Sequence, residues 1–234
     1  MRRLSLIDKS GAERLLLKNP ADYKSGFWTS YTLDGRIYIT ESTESKVLHL
    51  ANHESSKGFL EVVLDHTPND HDSPVIKYRI KVWSHNRPFA LIRFTGTNLT
   101  NEEIRDMRIY SFLDFDIGGP KSYKDDIGRF NKTDMRMYLY DDSDLTVAID
   151  SLPKPDLWSV SSPTKLKISE ETRDLDGIEQ LGPKDVAVGL QWNLGNIGVS
   201  ESKSIDLIIT AAESLDSINE QLDSGWKIFD EKIQ

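Results

Sequence analysis

The chain has 234 residues, with 29 basic against 38 acidic side chains for a formal charge of -9, 38% hydrophobic residues and no cysteine. A chain of this length buries enough apolar surface to fold without covalent staples. Without cysteine, disulfides, thiolate metal sites and cysteine nucleophiles are excluded, and the negative balance sets the chain against phosphate backbones, so nucleic acid is not an expected partner.

The start, Met1-Arg2-Arg3-Leu4-Ser5-Leu6-Ile7-Asp8, has two positive charges but no apolar run behind them, so no secretory signal is expected. No apolar run approaches the ~20 residues needed to cross a bilayer. The expected setting is cytoplasmic, with no membrane partner and no cofactor.

Strands dominate the reading in chain order. Residues 14–18, 26–33, 36–42, 46–52 and 59–66 read as strands, and Asp34-Gly35 between the second and third is a strong hairpin signal. From Val75 to Ser84, Ile76, Tyr78, Ile80 and Val82 alternate with Lys77, Arg79, Lys81 and Trp83. Residues 89–95 form the next strand. From Met107 to Ile117, Met107, Ile109, Leu113, Phe115 and Ile117 share a face, and Arg108, Tyr110, Phe112, Asp114 and Asp116 take the other. Residues 135–140 and 145–150 follow. Val186, Val188, Leu190, Trp192 and Leu194 form one more row, and Ile205, Leu207 and Ile209 another. One buried and one wet face is the antiparallel pattern.

Two segments break this rhythm. Residues 118–133 read as a long loop. Residues 151–183, with Pro153, Pro155, Pro163 and Pro183, read as mostly loop with edge strands at 157–160 and 165–168; long loops in a compact domain are functional or mobile. At the C-terminus the period changes. Leu215, Ile218, Leu222, Trp226, Phe229 and Ile233 recur every three or four residues. Ser217 and Glu220 match a capping box, and Gly225 predicts a kink or an early end. The fold expected is mainly β: a large antiparallel two-sheet sandwich over 1–234 as one domain, with 214–231 as a C-terminal amphipathic helix packed on it.

Candidate site residues fall in three groups. Asp65, His66, Asp70, His71 and Asp72 flank one turn and offer nitrogen and oxygen donors to zinc or manganese; a plain polar turn is the competing reading. Asp114 and Asp116, followed by Gly118-Gly119 and Asp125-Asp126, offer hard oxygens to calcium, against the competing reading of a solvated strand end. Trp83, His85 and Arg87, with Arg93 on the next strand, would make a sugar-stacking platform if the strand continues that far; otherwise a loop or the helix covers the indole. Nucleophile-elbow and phosphate-loop motifs are missing from the sequence.

The stretch from Phe89 through Asn98 to Tyr110, running into Asp114-Phe-Asp-Ile-Gly-Gly119, resembles paired strands of galactose-mutarotase-like supersandwich domains. So does Gly189-Leu-Gln-Trp-Asn-Leu-Gly195 followed by residues 203–213 and the helix. The resemblance implies a sandwich of the kind that precedes the helical catalytic barrel in glucoamylase-type glycoside hydrolases. Epimerases of that superfamily use a histidine acid in an Asn-His strand motif, whereas Thr95-Gly96-Thr97-Asn98-Leu99 here has no histidine. The resemblance therefore implies a noncatalytic interaction domain, facing a carbohydrate or a protein. The alternatives are an epimerase-like enzyme pairing a carboxylate with His66, His71 or His85, and a homodimer built on a sheet edge or on the helix.

Overall fold

The structure is a computed structural model that describes the strands at 4–7 and 13–17 and residues 25–40, 46–118 and 123–233. In chain order the strands are β1 (Leu4–Ile7), β2 (Glu13–Leu17), β3 (Gly26–Leu33), β4 (Arg36–Thr40), β5 (Leu48–Ser56), β6 (Phe59–His66), β7 (Ile76–Trp83) and β8 (Phe89–Asn98). They continue as β9 (Ile104–Asp114), β10 (Ile127–Asn131), β11 (Arg136–Tyr140), β12 (Thr146–Leu152), β13 (Leu157–Ser161), β14 (Gln180–Leu181), β15 (Ala187–Ile197) and β16 (Ser202–Ala212). One helix follows, α1 (Leu215–Ile233).

β1 and β2 pair with each other. The other strands form a nine-stranded sheet, in the order β14-β10-β11-β12-β16-β8-β7-β6-β5, and a five-stranded sheet, in the order β13-β15-β9-β3-β4. Every described pairing is antiparallel. The mainly-β, two-sheet architecture with a C-terminal helix is as the alternation predicts.

Period two sets the faces. In the large sheet, Ile76, Tyr78 and Val82 of β7, Ile92 and Phe94 of β8 and Ile205, Leu207 and Ile209 of β16 point inward. They meet Met107, Ile109 and Leu113 of β9 and Val188, Leu190 and Trp192 of β15 in one continuous core. Trp192 is fully buried, and its indole N–H donates to the Pro153 carbonyl at 3.0 Å, so the largest core side chain leaves no polar atom stranded. The β3–β4 hairpin turns on Asp34 (φ 51°) and Gly35 (φ 75°), the paired left-handed conformations of a type I′ turn.

Both outer faces are covered in part, and this is where the sequence reading needs correction. Residues 162–177 are irregular chain, as expected, but they lie on the small sheet as a cover. Leu166 and Leu175 pack on Trp28, Tyr110 and Phe112, the outward side chains of the small sheet. Polar bonds pin the segment: Tyr110 Oη donates to the Arg173 carbonyl at 2.6 Å, Arg173 donates to Ser30 Oγ at 3.0 Å, and Arg108 donates to Asp174 at 2.8 Å. The expected strand at 165–168 does not form, because its apolar residues are spent on this cover. In the expected loop at 118–133, residues 127–131 form β10 against β11. Gly128 and Arg129 interrupt its apolar alternation and hide it from view, and Gly128 is needed because a Cβ there would stand 2.6 Å from Val160.

The helix lies across the outer face of the large sheet. Its buried residues, Ile218, Leu222, Gly225, Phe229 and Ile233, meet Phe89, Leu91, Ala148 and Ile208. Ser214 caps it in place of Ser217, accepting the Ser217 N–H at 3.2 Å. The helix does not end at Gly225 but runs on to Ile233. A Cβ at that position would come within 2.7 Å of Ile208 Cδ1 and 3.4 Å of Leu91 Cδ2, so the missing side chain is what lets the helix seat. Gly225→Val should therefore destabilise the fold by about 1–3 kcal/mol, read as a lower midpoint in urea with unchanged β-sheet circular dichroism at zero denaturant.

Candidate functional site

Trp83 ends β7 and points to the outer face of the large sheet, where the helix reaches it. Its ring lies 6.3 Å from that of Phe89, and the Lys232 ammonium of α1 sits 6.0 Å above it. Arg93 points the same way and is held bidentately by Asp206 at 2.7 and 2.8 Å. It also reaches Asp230 of α1 at 3.2 Å and lies 5.3 Å from the Phe229 ring. Trp226 donates to Asp150 at 3.0 Å, and Arg136 donates to Asn219 at 2.9 Å, completing the seat of the helix. β7 ends before His85 and Arg87, which therefore lie in the β7–β8 turn, His85 against Gly58. The four residues of the expected platform thus do not form one open surface, because two of them anchor α1.

The histidine–aspartate group around the β6–β7 turn also separates by role. His66 is buried, with Nδ1 3.2 Å from the Val47 carbonyl and Nε2 3.2 Å from Thr40 Oγ1. Nδ1 must donate to the carbonyl, and in the neutral ring Nε2 accepts from the Thr40 hydroxyl, so both nitrogens are occupied. Burial pushes its pKa down to about 4. Asp65 points to the other face of β6, opposite His49 and Lys77, and Asp72 is exposed. Among the described residues, these five do not gather into a donor set for a metal.

Asp70 and His71 instead meet β4. Asp70 Oδ2 accepts from Arg36 Nη1 at 2.6 Å and from Tyr38 Oη at 2.9 Å, and His71 Nε2 lies 3.2 Å from the same Tyr38 oxygen. The bond from Arg36, then that from Tyr38, holds the Asp70 carboxyl below its ordinary range. Behind this fork, Tyr38 stacks on the buried Tyr31 ring at 5.2 Å. Sequence reasoning found Asp70 and His71 but not their partners. The signal for these was Arg36 and Tyr38 alternating directly after the Asp-Gly turn.

A third group lies where β9 ends and β10 and β15 begin. Asp114 and Asp116 are buried, in contrast to the solvated strand end that was one reading. Carboxylate oxygens of Asp114, Asp116 and Asp185 lie within 4.8 Å of one another, and so do those of Asp125, Asp126 and Asp141. Asp126 is fully buried, and its Oδ1 accepts only a long 3.4 Å bond from the Ile117 N–H. Burial, with repulsion from Asp116, Asp141 and Asp125, pushes its pKa up to about 8. Asp141 and Asp185 join from remote strands, which no local motif reveals.

No protein-family model matches the sequence, and no curated protein is significantly similar to it. Solved structures do match. A bacterial glucoamylase, solved in complex with acarbose, aligns over 90% of this chain with a TM-score of 0.66 and 11% identity. A GalM/aldose epimerase homologue from C. elegans aligns over 91% of it with a TM-score of 0.56 and 9% identity. The fold is galactose-mutarotase-like. The chain spans 29% of the glucoamylase and 92% of the epimerase homologue. No helix among the described residues is long and apolar enough to cross a membrane.

The tautomer of His66 has a consequence in acid. Its folded pKa is depressed below the unfolded value, so its contribution is complete above about pH 6.5. That contribution is lost as pH falls toward about 4. Urea midpoints measured across this window should fall steeply for the wild type and more shallowly for His66→Gln, which starts lower at neutral pH because the paired bonds are disturbed.

Proposed function

We propose that the chain is a noncatalytic, carbohydrate-facing sandwich whose contact patch is Tyr38 with Arg36, Asp70 and His71. The observation that carries this reading is the convergence of an aromatic ring, a guanidinium, an imidazole and a carboxylate on the edge strand β4 and the adjoining turn. Sugars offer apolar C–H faces rimmed by hydroxyls. A ring backed by Tyr31 supplies the face, and the polar groups supply donors and acceptors to the rim. Neighbours of the same fold include a glucoamylase and an aldose epimerase homologue, and this lends the carbohydrate reading its direction. Trp83 and Arg93 contribute to the seat of α1 in this reading rather than to the patch.

Arg36 also argues for binding over chemistry. A general acid or base works best with a pKa near the working pH. Asp70 is displaced the other way, so it remains a charged hydrogen-bond acceptor.

A second reading is an epimerase-type enzyme, favoured by the approach of His71 Nε2 to Asp70 Oδ1 at 3.9 Å. The two readings part in solution. A glycan array followed by calorimetry on the intact chain should give binding that weakens about tenfold or more in Tyr38→Ala, while polarimetry of freshly dissolved aldohexoses shows no acceleration of mutarotation. Binding unchanged in Tyr38→Ala removes the patch. Accelerated mutarotation abolished by His71→Gln replaces the first reading with the second, and complete absence of glycan binding and of mutarotation leaves a structural or protein-binding role.

A further inference from the structure

Aspartates from four separate segments come together at one end of the sandwich. Asp125 and Asp126 stand just before β10, and Asp141 stands just after β11, its neighbour in the large sheet. Carboxylate oxygens of these three lie within 4.8 Å of one another. A calcium ion holds its ligand oxygens at about 2.4 Å, so spacings up to about 4.8 Å between them are compatible with one coordination sphere. Like charges this close repel unless something between them compensates.

An acidic cluster alone is a common surface feature, but this one has a buried member with an unmet need. Asp126 has no solvent exposure, and among the described residues its Oδ2 has no hydrogen-bond partner. That oxygen belongs to a carboxyl facing Asp125 and Asp141. A buried carboxyl oxygen without a hydrogen-bond partner, on a side chain crowded by two other carboxyls, is a position that costs free energy in the bare protein. A cation between the three carboxylates would supply the missing partner.

The surroundings hold the ligands in place. The Asp126 carbonyl accepts from the Lys184 N–H at 3.0 Å, tying this turn to the approach to β15. Asp141 Oδ1 accepts from the Ser143 N–H at 2.9 Å, which orients its carboxyl. Asp116 lies close enough to act on Asp126 electrostatically, adding negative potential. Every donor is a hard oxygen and there is no imidazole in the set, which selects against zinc and copper. Donors from two separate turns suit an ion that tolerates irregular coordination, and calcium does so better than magnesium.

We propose that Asp125, Asp126 and Asp141 form a divalent-cation site of calcium type, which clamps the turn before β10 to the turn after β11. The site is independent of the Tyr38 patch.

Calorimetric titration of calcium chloride into the chelator-treated intact chain tests this. The expected result is one saturable site per chain, with affinity lowered about tenfold or more in Asp126→Asn and in Asp141→Asn and retained in Asp72→Asn, which is exposed and outside the cluster. Sensitised terbium emission from the wild type, excited through tyrosine and displaced by calcium, reads the same site without any substitution, because Tyr140 directly precedes Asp141. If either variant fails to fold, Asp125→Asn takes its place. Absence of a saturable site in the wild type by both methods overturns the proposal, as does binding unchanged in the folded aspartate variants.

Discussion

The two sheets are unequal, nine strands against five, and each has two faces to account for. Packing the sheets together buries one face of each and leaves both outer faces carrying apolar residues. Leu91 and Ile208 stand outward on the large sheet, and Trp28, Tyr110 and Phe112 on the small one. Left wet, these would be exposed apolar patches of the kind that drive association. The architecture answers twice, with α1 on one side and residues 162–177 on the other. Arg93 and Asp150 on one face and Arg108 on the other then become anchors for the covers.

That arrangement explains what the sequence revealed and what it hid. Alternation in β7, β9, β15 and β16 announced the sandwich, because each inward row faces a continuous core. The helical stripe announced α1. What alternation cannot report is what lies on the second face. Trp83 read as wet because it shares parity with Lys77 and Lys81, yet α1 comes down on it and on Arg93 from more than a hundred residues later in the chain. Gly225 read as a weakness by propensity alone, since the close approach of Ile208 that demands it is a tertiary fact.

The candidate sites follow the same division. Asp70 and His71 stood out as neighbours in sequence, but their meaning depends on Arg36 and Tyr38 across the sheet edge. Asp114, Asp116, Asp125 and Asp126 were visible as an acidic run. Asp141 and Asp185 enter only through strand order, which brings the end of β11 and the start of β15 beside the end of β9. His66 looked like a ligand and is a core residue, because Thr40 and Val47 occupy both of its nitrogens.

The seat of α1 carries a consequence for how the chain is made. Strands β7 and β8 are laid down early in synthesis, and their outward residues Trp83, Phe89 and Leu91 wait for a cover encoded after β16. A chain cut before residue 215 would keep every strand of both sheets and still be adhesive, so its solubility should hinge on α1 rather than on the sandwich itself.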